Sequence, residues 1–178
     1  MLIRLDAKLV HFLKGENKPT DAELVTLAQL CQYKQQYRAS FLFWKMAIGK
    51  NSNVNKYRPD AVFVAMRAAT RQGKDNLSDG EDEGSLFRKQ SLKWLHEAID
   101  RWTKDPRKDK SLSEWDAFIR SFGQPTPDQL RRDLLSWRRD PLFATVRDKP
   151  ALAKLPTDER RAWEAFWAEV DKLLKRTE

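Results

Sequence analysis

The 178 residues are 40% apolar and 34% charged, carry seven Trp and nine Phe, and sum to a net charge of +8. So many aromatics exclude a disordered chain, because they supply large buried areas. Six Gly and few β-branched runs argue against a sheet protein, and no apolar run approaches the roughly 18 residues that a membrane-spanning helix needs.

Leu2, Leu5, Leu9, Phe12 and Leu13 recur at helical spacing, and Gly15 followed by Pro19 stops that first helix. Thr20 or Asp21 caps a second helix through Leu24, Leu27, Ala28, Leu30 and Cys31, which ends near Lys34-Gln35-Gln36. A third holds Tyr37, Phe41, Trp44, Ala47 and Ile48. Residues 51–57 are Asn-rich and read as a loop, after which Pro59 suits the first turn of a fourth helix. That helix carries Ala61, Val62, Phe63, Ala65 and Met66 and closes at Gly73. Residues 74–84 read as a flexible acidic insert.

A fifth helix over about 86–103 buries Leu92, Leu95, Ala98, Ile99 and Trp102. A sixth is expected from Leu112, Trp115, Phe118, Ile119 and Phe122, stopping at Gly123. Pro127 and Asp128 open a seventh, which runs through Trp137 to Asp140-Pro141. Residues 141–156 read as irregular, or as carrying one short helix near 149–154. The last helix follows Thr157, with Trp163, Phe166, Trp167, Val170, Leu173 and Leu174 on one face. The expected fold is all-α, with about eight helices. The expected division is a repeat-like region over 1–103 and a helical cap over 104–178.

Charge does not name a partner. Residues 1–90 hold 15 basic and 10 acidic side chains, and residues 91–178 hold 19 and 16. A nucleic-acid footprint instead gathers its cations on one face. The pairs Arg131-Arg132, Arg138-Arg139 and Arg160-Arg161 hint at a basic ridge, yet acidic neighbours interrupt each one. A basic helical nucleic-acid binder is therefore the alternative reading, not the first. Cys31 is the sole cysteine, so no intrachain disulfide can form, and a reducing compartment is the simplest reading. The N-terminal Met-Leu-Ile-Arg-Leu-Asp lacks the continuous apolar stretch of a signal peptide. The expected location is the cytoplasm.

Chemistry is sparse. Asp75 to Leu86 fails as an EF-hand, because Leu77 takes the second ligand position and Leu86 stands where the bidentate Glu belongs. A solvated acidic loop is the simpler expectation. His11 and His96 have no Cys or carboxylate set at metal spacing. No nucleophile elbow occurs, and nothing else suggests an enzyme. No metal and no cofactor are expected.

A search for internal periods is more productive. Helices two and three carry a size code: Leu24, Leu27, Ala28 and Cys31 on one, Tyr37, Ser40, Trp44 and Ala47 on the other. Slim residues at Ala28, Ser40 and Ala47 let two helices approach, while Leu24, Leu27 and Trp44 fill the space beside them. This resembles the tetratricopeptide repeat, although Ser52 stands where the usual Pro falls. One repeat of about 34 residues further on, Ala61, Val62 and Ala65 correspond to Leu27, Ala28 and Cys31. The partner helix, with Ser91, Leu95 and Ala98, arrives about 17 residues late, most of them in the acidic insert. An ordinary helical bundle is the plain alternative.

Segments along the chain also resemble the C-terminal region of planctomycete-type bacterial serine/threonine protein kinases and related tetratricopeptide-repeat proteins. The matching stretches are residues 13–19 (LKGENKP), 27–31 (LAQLC), 71–73 (RQG), 88–95 (RKQSLKWL), 137–141 (WRRDP), 146–148 (VRD) and 151–156 (ALAKLP). Asp60, Phe63 and Met66 depart from that pattern. The resemblance implies a helical, non-catalytic region that makes protein contacts. Kinase activity is not implied, since the phosphate loop and the metal-binding motifs are missing. Such a repeat would present a short groove for a protein or peptide, with Val25, Gln29, Gln32, Tyr33, Phe63 and Arg67 facing outward.

Overall fold

The computed structural model describes residues 2–50, 58–75, 81–103 and 125–176. The fold is all-α, and no strand occurs among the described residues. In chain order the helices are α1 (Leu2–Leu13), α2 (Asp21–Tyr33), α3 (Tyr37–Lys50), α4 (Arg58–Ala69), α5 (Glu81–Thr103) and α6 (Pro127–Arg139). A 3-10 turn (Pro141–Phe143) then leads to α7 (Ala144–Arg147), α8 (Lys149–Leu152) and α9 (Thr157–Arg176). The expected loop at 51–57 and the expected helix around 112–122 lie outside the described residues. Among the described residues no helix is long and apolar enough to cross a membrane.

The chain divides into two compact units, Met1–Ser91 and Leu92–Glu178. The division falls inside α5. No Gly or Pro punctuates α5 after Gly84, so the sequence carries no mark of the change.

In the first unit, α1 ends at Gly15, whose φ of +75° is the left-handed conformation that stops a helix. The start of α2 is closed by Thr20: its backbone N–H donates to the Glu23 carboxylate at 2.9 Å and its hydroxyl donates to the same oxygen at 2.8 Å. A turn at Lys34-Gln35-Gln36, with Gln35 at φ 60°, reverses the chain into α3. Lys50, at the end of α3, meets Asp21, at the start of α2, at 2.6 Å. The two helices are thus an antiparallel pair. All eight residues of the size code are buried along it. Ser40 shows why a slim residue is needed there: its Oγ donates to the Ala28 carbonyl at 2.7 Å, so side chain and facing backbone are in direct contact. The second set is buried too, at Ala61, Val62, Ala65, Ser91, Leu95 and Ala98. Its serine behaves differently, because Ser91 Oγ donates to Phe87 O within its own helix.

The expectation of a solvated acidic loop over 74–84 needs correction. Helix α5 already starts at Glu81, and Asp75 and Glu83 are half-buried. The Asp75 carboxylate accepts the Ala39 N–H at 2.9 Å and the Arg38 N–H at 3.4 Å. It therefore serves the unpaired amides at the start of α3. Arg38 in turn donates to Asp75 O at 3.2 Å and pairs with Glu83. Gly73 permits this approach: a Cβ there would lie 2.7 Å from Asp75 Oδ1 and 3.1 Å from Gln35 O. Asp75→Ala is expected to lower stability by about 1–2 kcal/mol, the usual cost of a lost helix cap. Urea unfolding of the two proteins measures it, and equal midpoints would remove the capping role.

In the second unit, Trp163, Phe166, Trp167, Val170 and Leu173 form the buried face of α9, as the 3.6-residue period requires. Leu174, expected on the same face, is only half-buried. The 141–156 segment is more regular than expected. Asp140 accepts the Leu142 N–H at 2.8 Å and so starts the 3-10 turn at Pro141. Arg147 Nη1 donates to Arg138 O at 2.8 Å and Asp140 O at 3.0 Å, closing the end of α6. Trp167 Nε1 donates to Val146 O at 2.8 Å and fastens α7 to α9.

Candidate interaction site

The six residues expected to face a groove differ in exposure. On α2, Tyr33 is 88% exposed and Gln29 is exposed, while Val25 and Gln32 are half-buried. On α4, Phe63 is half-buried. Arg67 is exposed, but it is tied down: Nη1 donates to Tyr37 Oη at 3.0 Å and the guanidinium sits 5.4 Å from the Tyr37 ring centre. It fixes α4 to the first residue of α3. None of the six lines the cavity described next.

That cavity, about 270 Å³, lies where the end of α1, the start of α3 and the start of α5 come together. Phe41 and Phe87 are buried in it and meet edge to face, with centroids 4.8 Å apart and planes at 77°. Leu13, Leu42 and Leu86 surround them and stay 44%, 55% and 49% exposed. Gln36, Arg38, Asp75 and Glu83 supply the polar wall. Two atoms of that wall, Gln36 Oε1 and Arg38 Nε, are buried without a hydrogen-bond partner. Each such atom costs roughly 1–3 kcal/mol. Sequence reasoning missed the site because its leucines come from three different helices. Leu42 and Met46 on α3, and Val10 and Leu13 on α1, each exposed one turn apart, are its local signals.

The other candidates are accounted for by packing. Cys31 is fully buried, and burial pushes its thiol up to about 12. It stays neutral, so it is a poor nucleophile. Native protein is expected to leave Cys31 unmodified by thiol reagents at pH 8, with reaction only on unfolding. In the unfolded chain the thiol ionises near its ordinary value of 9.0. The folded form holds its proton longer, so stability falls as pH rises from about 9 towards 12. Mass spectrometry after a short pulse of reagent, with and without urea, checks the reactivity.

His11 pairs with Glu16, and His96 Nδ1 lies 3.3 Å from Glu169 with its ring edge-on to Phe166. Among the described residues no group of three His, Cys, Asp or Glu side chains could hold a metal ion. Arg138 binds Asp171 at 3.1 Å and covers the Trp167 ring at 5.4 Å, and Arg131 donates to Leu174 O at 3.4 Å. These cations are spent on internal contacts.

Set against protein-family models, curated proteins and solved structures, the chain matches none.

Proposed function

We propose that this chain is a non-catalytic protein–protein interaction module of tetratricopeptide-like type, and that it docks a segment of a partner protein in the cavity between α1, α3 and α5. On the sequence resemblance, its place is the C-terminal part of a bacterial signalling kinase, within the cytoplasm. The observation that carries the docking reading is the ring of three half-exposed leucines around a recessed aromatic pair. Leaving such side chains in water forgoes about 25 cal/mol per Å² that a partner would recover. The antiparallel α2–α3 pair, stacked through Ala28 and Ser40, supports the repeat-like architecture behind it.

The test is an unbiased peptide-display selection against the whole chain. Enriched peptides are then measured on Leu42→Asn/Leu86→Asn and on Val25→Asp/Gln29→Asp/Tyr33→Asp. The expected result is enrichment of peptides that need Leu42 and Leu86. Binding abolished only by the second variant would move the site to α2. No enrichment at all would overturn the module reading.

A further inference from the structure

The charges beside the leucine ring suggest what kind of segment it takes. Arg38 is occupied by Glu83 and by the Asp75 carbonyl. The Asp75 carboxylate is occupied by the first amides of α3. Glu83 is different: one of its oxygens meets Arg38, and the side chain keeps 34% of its surface in solvent. In the cavity wall two carboxylates, Asp75 and Glu83, stand against one cation, Arg38. The cavity is thus an apolar well beside negative charge, on a chain whose total charge is +8. At about 270 Å³ it falls below the roughly 300–1,000 Å³ of small-molecule sites. It suits one or two large side chains.

Resting on the interaction-module reading above, we propose that the occupant is a basic peptide segment of a partner protein, with Leu or Phe anchors seated among Leu13, Leu42 and Leu86 and a neighbouring Lys or Arg on Glu83. Acidic segments, phosphopeptides and nucleic acid are repelled by the same carboxylates. The overall positive charge does not defeat this pairing. Screening acts over about 8 Å at physiological salt, so distant cations are muted while the contact with Glu83 persists.

Fluorescence anisotropy tests it with two labelled peptides at about 0.15 M salt. One is an amphipathic helix built only of Lys and Leu, and the other has Glu in place of every Lys. The Lys/Leu peptide is expected to bind the whole chain roughly tenfold or more tightly than the Glu/Leu peptide, and to weaken by a similar factor on Leu42→Asn/Leu86→Asn. Both leucines are half-exposed, so the variant keeps its fold, and thermal unfolding verifies that. Equal affinities for the two peptides, or undiminished binding by the variant, would overturn the inference. An acidic peptide recovered from the display library and lost in the same variant would overturn the basic partner alone and leave the module reading standing.

Discussion

Trp44→Ala is expected to lower the stability of the protein by about 3–5 kcal/mol. Trp44 is fully buried on α3 between positions kept slim at Ser40 and Ala47. The slim residues bring helix backbones close, so the indole has no room to be replaced by collapse. The void left by Ala would therefore persist, and its cost grows with its volume. Total stability of a domain this size is only about 5–15 kcal/mol, so roughly a fifth of it or more is at stake. The complementary change, Ala28→Leu, adds bulk where Ser40 Oγ bonds the Ala28 carbonyl. Overpacking there is expected to cost about 1–3 kcal/mol. Urea unfolding followed by circular dichroism reads both. A loss below about 1 kcal/mol for Trp44→Ala would mean that the helix pair is not held by this wedge.

The second large effect is at Phe166. Its ring lies 5.0 Å from Trp167, 5.8 Å from Trp163, 6.3 Å from Trp137 and 5.3 Å from His96. It is fully buried. Phe166→Ala removes all these ring contacts together and is expected to cost about 3–5 kcal/mol. The tryptophans beside it give a sharper comparison. Trp163 Nε1 is buried with no acceptor, whereas Trp167 Nε1 reaches Val146 O. Trp163→Phe therefore discards an unsatisfied donor, a relief of roughly 1–3 kcal/mol, against a small cavity costing on the order of 1 kcal/mol. The net change is near zero or stabilising. Trp167→Phe strands the Val146 carbonyl and destabilises by roughly 1–3 kcal/mol before any loss of packing. Equal losses for the two Phe variants would refute the distinction.

Much of the fold is legible locally. Leu5 and Leu9, Leu24 to Cys31, and Trp163 to Leu173 repeat with the helical period and prove buried. Gly15 marks its helix end because a left-handed residue is needed there. What could not be read depends on distant partners. Glu81 to Gly84 look like a loop in isolation, yet the helix includes them, and Glu83 is held by Arg38 from 45 positions away. The cavity was hidden for the same reason, since Leu13, Leu42 and Leu86 come together from three different helices. The six groove residues came from a size code that governs packing. Burial follows from such a code, but what an outward side chain does with its neighbours does not, as Arg67 on Tyr37 demonstrates.

Asp75 stands 36 positions beyond the Ala39 amide it serves. The first turn of α3 is consequently capped from outside the hairpin, although residues 21–50 contain its whole size code. A fragment cut after Lys50 would begin α3 with bare amides and a loose Arg38. The capping carboxylate comes from beyond Gly73, which ties the α2–α3 pair to a segment that borders the cavity. Glu83 and the Asp75 carbonyl, beside the first turn of α3, are thereby joined through one arginine.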